Sequence, residues 1–127
     1  MFNESLTLVG TGPANHVYST VDVGPYKRVR REANSDLNTP QLLTISHQVS
    51  KDGNKSFTLV RLDKSVEVDE KRGNIAVKLM IEVPRDVAVV ADVGDAVNRL
   101  VSFIYDESLA DPVSDFNALG KLVNLES

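Results

Sequence analysis

Apolar and polar residues alternate along much of the first two thirds of the chain, with the period of a half-buried β-strand. The clearest run is IAVKLMIEV at 75–83, where Ile75, Val77 and Leu79 face one way and the residues between them the other. Further β-rich runs, separated by short turns, cover 5–10, 15–22, 26–32, 41–50 and 56–66. Between the last two, Asp52-Gly53 is a strong signal for a hairpin turn. The pattern predicts an N-terminal hairpin followed by an antiparallel sheet that is apolar on one face.

The period of the pattern changes after Pro84. From residue 92 onward, apolar residues recur every three or four positions, which is typical of one face of an amphipathic helix. Asp92 is the predicted N-cap of this helix, with Asp95 at its third position. We expect the helix to end near Leu109.

A second helix is predicted in the last part of the chain. Asp111 stands directly before Pro112, which fits an N-cap followed by the first helical residue, and the helix is expected to end near Asn124. Strands followed by helices indicate an α+β fold, with the antiparallel sheet covered on one face by two C-terminal helices.

The apolar face of the predicted sheet is wider than two helices can cover, since each helix is only about 10 Å across. A second copy of the chain is the simplest cover, so we expect an obligate homodimer with a largely apolar twofold interface. Its interface residues would be those of the helical stripes: Val93, Val97, Leu100, Val101, Ile104, Phe116 and Leu119.

Charge is divided unevenly along the 127 residues, which we expect to form one domain. The β-sheet part, 1–85, holds 12 basic and 10 acidic residues, whereas the two-helix part, 86–127, holds 2 and 8. The densest basic cluster comprises Lys27, Arg28, Arg30 and Arg31. Such a cluster serves either as a charged strand edge that prevents aggregation or as a surface that faces phosphates.

Signals for catalysis, metal binding and cofactor binding are missing from the sequence. The chain has no cysteine, and adjacent Ser46 and His47 would point to opposite faces of a strand. His16 and His47 lie in separate strands without a third ligand at metal spacing. No apolar run approaches the length of a membrane helix. We therefore expect no enzymatic activity, metal, cofactor, small-molecule substrate or membrane partner.

Three segments carry a resemblance to a known family: TISHQVSKDGNKSFTLV, VKLMIEVPRD and DVGDAVNRLVSFIYDESL. With the order of elements, they resemble the coat protein of small single-stranded RNA bacteriophages, the levivirus type. The resemblance implies an interlocked dimer with a ten-stranded sheet facing the capsid interior and helices packed over the partner's sheet. About 90 such dimers would build a T=3 icosahedral shell around genomic RNA. The protein would be part of the virion and assemble in the cytoplasm of a bacterial host.

The resemblance also implies that the inner sheet face binds an RNA hairpin and represses translation. By position, that face would hold Thr44, Ser46, Gln48, Thr58, Val60, Ala76 and Lys78. Relatives often have a lysine where Val60 stands, and some have a base-stacking tyrosine where Ala76 stands. Lys27, Arg28, Arg30 and Arg31 could compensate through general phosphate contacts. The alternative is that the threonines and serine are ordinary sheet-surface residues.

One connecting segment is expected to mediate contacts between dimers. It comprises Asp69, Glu70, Lys71, Arg72, Gly73 and Asn74, and in the family it gathers around the symmetry axes. We expect a loop here, with Gly73 permitting alternative conformations. The competing interpretation of the whole chain is a dimeric, single-sheet RNA- or peptide-binding module that does not form shells.

Overall fold

The computed structural model describes residues 4–9, 15–85, 90–105 and 122–123, and the chain divides into two units, Met1–Asp86 and Val87–Ser127. The first unit contains six strands: β1 Ser5–Val9, β2 Asn15–Val23, β3 Lys27–Glu32, β4 Gln41–Val49, β5 Lys55–Val68 and β6 Lys71–Pro84. Each strand pairs antiparallel with the next, in the order β1-β2-β3-β4-β5-β6. The predicted antiparallel sheet is confirmed, and its N-terminal hairpin is hydrogen-bonded into the same sheet through β2 and β3.

The cross-strand register assigns the side chains to two faces, because residues directly opposite each other point to the same side. The apolar face carries the alternate residues of the central and edge strands: Leu43, Ile45, Val60, Leu62, Ile75, Val77, Leu79, Ile81 and Val83. The polar face carries the residues between them, including Thr44, Ser46, Gln48, Arg61 and Lys78. The alternation predicted for 75–83 therefore corresponds to the apolar and polar faces of the sheet.

The buried part of the sheet lies on the apolar face of β2, β3 and β4. Tyr18 and Leu43 are buried there, together with the charged residues Arg30 and Glu32. Glu32 Oε1 lies 3.1 Å from His16 Nδ1. Burial, and secondarily the nearby Glu32 carboxylate, raises the pKa of Tyr18, since both disfavour a phenolate.

The turn between β4 and β5 fixes the register of the central strands. Asp52 Oδ1 accepts hydrogen bonds from Ser50 Oγ at 2.6 Å and from the Asn54 N–H at 3.0 Å. Gly53 has a φ of 74°, the left-handed conformation that glycine adopts without strain. The Asp52-Gly53 signal thus marks the predicted hairpin, and it sets Val49 opposite Ser56.

The segment 69–74 is not the predicted six-residue loop. β5 runs to Val68 and β6 begins at Lys71, so only Asp69 and Glu70 form the turn. Their φ values of 52° and 64° are those of a tight hairpin turn in which both central residues are left-handed. Lys71, Arg72, Gly73 and Asn74 pair with β5. Since β4 pairs with β5 only as far as Lys64, the rest of this hairpin extends as a two-stranded ribbon.

The second unit contains α1, Val90–Tyr105. Because α1 begins at Val90, Asp92 is not the predicted N-cap but lies within the first turn of the helix. Its negative charge there still complements the helix dipole. Arg99 Nη2 and Asp95 Oδ2 form an ion pair at 2.9 Å, one turn apart. On the predicted stripe Val93, Val97, Val101 and Ile104 are half-buried, and Leu100 is exposed.

The predicted second helix lies largely outside the described residues. Leu122 and Val123 are helical, but the predicted start at Asp111 and the interface residues Phe116 and Leu119 fall in the part that is not described. Among the helices that are described, none is long and apolar enough to cross a membrane.

Candidate nucleic-acid interface

The polar face brings together five of the predicted RNA-binding residues, which come from β4 and β6, two strands separated by β5. Thr44 lies opposite Arg61 on β5, and Arg61 lies opposite Lys78 on β6. Ser46 and Gln48 follow Thr44 at alternate positions of β4, and Ala76 precedes Lys78 in the same way on β6. The register therefore places all five side chains on one side of the sheet.

The two predicted residues of β5 lie on the opposite face. Thr58 pairs with His47 and Val60 pairs with Ile45, so both belong to the apolar face. The His47 Nδ1 atom lies 3.0 Å from Thr58 Oγ1, which confirms that these side chains share a side. Grouping Thr58 and Val60 with Ser46 was wrong by one residue of register, and such a slip moves every side chain of a strand to the other face.

The β5 residues that do occupy the polar face are Phe57, Leu59, Arg61 and Asp63. These four residues were not predicted, because the positions of β5 were assigned from the family resemblance alone. The usable signal was the hairpin turn: Ser50 lies opposite Lys55 across the four turn residues 51–54, which pairs Val49 with Ser56 and Gln48 with Phe57.

The basic cluster of β3 is divided between the two faces. Lys27 lies opposite Ser46 and Arg31 opposite Leu42, so both belong to the polar face. Arg28 and Arg30 lie opposite Ile45 and Leu43 and belong to the apolar face, so the prediction that all four basic residues form one phosphate-facing surface is wrong. Arg28 Nη1 lies 3.4 Å from Glu4 Oε1, and Arg30 is only 1% exposed.

Arg61 is the central cation of the polar face. Its Nε donates to Asp63 Oδ2 at 2.8 Å and its Nη2 donates to Asp63 Oδ1 at 2.8 Å. Asn74 Nδ2 donates to the same Oδ1 atom at 2.9 Å. The pKa of Asp63 is lowered, mainly by the hydrogen bonds from Arg61. The hydrogen bond from Asn74 and the positive charges of Arg61 and Lys78 lower it further. The carboxylate therefore stays ionised and holds the guanidinium in one orientation.

The polar face has an excess of positive charge. Its basic side chains, among the strands that are described, are Lys27, Arg31, Lys55, Arg61, Arg72 and Lys78. Its acidic side chains are Asp22, Asp63, Glu67 and Glu82. Ion pairs join Lys55 to Glu82 at 2.9 Å, Arg72 to Glu67 at 3.6 Å and Arg61 to Asp63.

Lys27 and Lys78 remain available for an anionic ligand, since neither forms an ion pair within the residues that the structure describes. Thr44, Arg61 and Lys78 stand side by side on three strands about 4.8 Å apart. Hydroxyl and cationic donors at this spacing can contact phosphate oxygens along a nucleic-acid backbone. In the described parts of the chain, no cluster of His, Asp and Glu is arranged to hold a metal ion.

Comparison of the sequence with family models and with curated proteins finds no match. Comparison with solved structures shows that the chain has the fold of the coat proteins of levi-like phages. The resemblance predicted from the sequence is therefore confirmed at the level of the fold.

Three of these structures illustrate the similarity. The bacteriophage EMS014 coat protein has a TM-score of 0.75 at 16% identity, covering 99% of this chain and 98% of its own. The virus-like particle of bacteriophage AVE019 has a TM-score of 0.72 at 13% identity, covering 92% and 98%. The virus-like particle of Beihai levi-like virus 32 has a TM-score of 0.62 at 15% identity, covering 72% and 78%.

Proposed function

We propose that the chain is a phage coat protein that assembles into a closed shell around RNA and forms part of the virion, built in the cytoplasm of a bacterial host. The observation that carries this proposal is the match over nearly the full length of both chains to a phage coat protein. Several of the similar structures are virus-like particles, which are products of self-assembly.

The building block of the shell would be a homodimer. β6 lies at the edge of the sheet, and its 14 residues present backbone donors and acceptors that a second β6 could pair with. On its apolar face Ile75 is 52% exposed and Val77 is 63% exposed, which favours a partner that covers them. The stripe of α1, including Val97 and Val101, is a suitable cover. Two six-stranded sheets joined along β6 would give twelve strands, two more than the expected ten.

RNA would bind on the polar face. Lys27, Arg61 and Lys78 supply positive charge, and Thr44 and Ser46 supply hydroxyl groups in the neighbouring positions. Recognition of a hairpin on this face would let the protein repress translation and mark its own genome for packaging. The two-stranded ribbon that ends at Asp69 and Glu70 would make the contacts between dimers.

Expression of the full chain alone, followed by size-exclusion chromatography and electron microscopy, tests this function. We expect closed particles of uniform diameter that contain host RNA. A stable dimer without particles would favour the dimeric binding module instead. A folded monomer with no larger species would contradict both functions.

A further inference from the structure

An apolar island interrupts the polar face, and we define it as Phe57, Leu59 and Met80. Leu59 lies opposite Met80, and Phe57 is the next residue of β5 on the same side. Met80 is 63% exposed, and Phe57 and Leu59 are half-buried. Phe57 provides the one aromatic ring that the described strands place on the polar face. A half-exposed ring is therefore available to a ligand on this side of the sheet.

Cations and hydrogen-bonding groups surround the island. Lys27 and Ser46 stand in the same cross-strand row as Leu59 and Met80. The next row, about 7 Å away along the strands, contains Arg61 and Lys78. On the other side Phe57 lies between Gln48 and Glu82, and Lys55 neutralises Glu82 at 2.9 Å.

This combination fits a nucleobase better than a phosphate backbone alone. Backbone phosphates require only the cations, and they gain nothing from Phe57 or Met80. Single-stranded RNA, in contrast, presents unpaired bases that stack on aromatic side chains while neighbouring phosphates contact basic groups. Gln48, next to Phe57, has both a donor and an acceptor for the edge of a base.

We propose that Phe57 stacks an unpaired nucleobase of the bound RNA, with Leu59 and Met80 forming the rest of the apolar contact and Lys27 and Lys78 holding the flanking phosphates. The proposal deepens the RNA binding of the polar face and rests on it. It assigns base recognition to β5, whereas Ala76, on the same face of β6, carries no ring.

The test measures binding of the full-length protein to two probes, a fluorescently labelled single-stranded RNA oligomer and inorganic polyphosphate, which has charge but no bases. Phe57→Leu keeps an apolar side chain and removes the ring, and Phe57→Tyr keeps the ring. We expect Phe57→Leu to weaken RNA binding about 5- to 140-fold, which is the usual range for one stacked base. Polyphosphate binding should not change, and Phe57→Tyr should bind RNA like the wild type.

Lys78→Ala serves as the matched electrostatic control on the same face. It should weaken both probes and flatten the dependence of log affinity on log salt by about 0.7, whereas Phe57→Leu should leave this slope unchanged. Met80→Gln, at an exposed position, gives a second variant of the island should Phe57→Leu fail to fold. It should weaken RNA binding without affecting polyphosphate.

The outcomes separate this proposal from the proposed function. Equal RNA binding by the wild type and Phe57→Leu would overturn the base contact and leave RNA binding by the polar face intact. An equal loss for RNA and polyphosphate would also overturn it, because that result indicates a structural effect. A wild-type protein that binds neither probe would remove the RNA-binding function itself.

Discussion

Val77→Lys tests the proposed dimer at an exposed valine that β6 places on the apolar face of the sheet. Val77 lies on the apolar face and is 63% exposed in the single chain, so a lysine there can extend into solvent with little cost to the fold of one copy. In a dimer that covers this face, the same lysine would be buried without a partner. The variant should therefore damage assembly far more than folding.

The magnitude follows from the exposed fraction. Complete burial of a valine side chain stabilises a protein by about 1.5–3 kcal/mol. Covering the exposed 63% of Val77 would therefore contribute about 1–2 kcal/mol per copy, and about 2–4 kcal/mol for a symmetric pair. Losing this contribution weakens the dimer about 30- to 700-fold. Desolvation of the lysine ammonium adds to that loss.

Sedimentation velocity and electron microscopy of the expressed variant provide the assay, and Met80→Lys is the matched control. Met80 lies on the same strand, is also 63% exposed and faces the other way. We expect Val77→Lys to lose dimers, and with them particles, and Met80→Lys to keep its dimers. Particles formed equally well by both variants would refute a dimer that covers the apolar face.

Two further substitutions address the polar face and the β5–β6 ribbon. Asp63→Asn frees the Arg61 guanidinium and removes one negative charge, so RNA retention at a given salt concentration should rise; a fall would contradict the assigned electrostatics. Because hydrogen bonds from Arg61 lower the pKa of Asp63, its carboxylate is charged at both pH 7 and pH 5, and wild-type retention measured at these two pH values should show no titration of Asp63. Glu70→Gly relieves a left-handed φ of 64° and should stabilise the protein by about 1 kcal/mol in urea unfolding, whereas Glu67→Gly, within β5, should destabilise it; no gain at Glu70 would contradict a tight turn.

The sequence was sufficient to predict the sheet because the physical cause of alternation is local. Successive side chains of a strand point to opposite sides, so the pattern at Ile75, Val77 and Leu79 specifies an apolar face without knowledge of any partner strand. The turn at Asp52 and Gly53 was equally clear, since the required backbone conformation depends on the residues of the turn alone.

The candidate site was harder to predict because it depends on register between strands. Thr58 and Val60 were placed one residue out of register, and that error exchanged them for Phe57, Leu59, Arg61 and Asp63. For β3, alternation within the strand already implied that Lys27 and Arg31 could not share a face with Arg28 and Arg30. The four basic residues of β3 therefore could not form one surface patch.

The turn at Asp69 and Glu70 lacks the usual sequence signal. Tight hairpin turns with two left-handed residues favour Asn-Gly or Asp-Gly, whereas here Glu70 occupies the second position. A run of charged residues without glycine at the turn therefore indicated a loop. Pairing of the flanking residues, from Val68 with Lys71 to Ser65 with Asn74, stabilises the turn and outweighs the local preference.

A cryo-electron microscopy reconstruction of the particles formed by the full-length chain tests the central claim most directly. We predict a closed shell in which the polar face, with Arg61 and Lys78, points inward to density for RNA, and the apolar face at Val77 is covered by helices of a second copy. A shell with the apolar face toward the RNA, or with Val77 exposed in every subunit, would contradict the account.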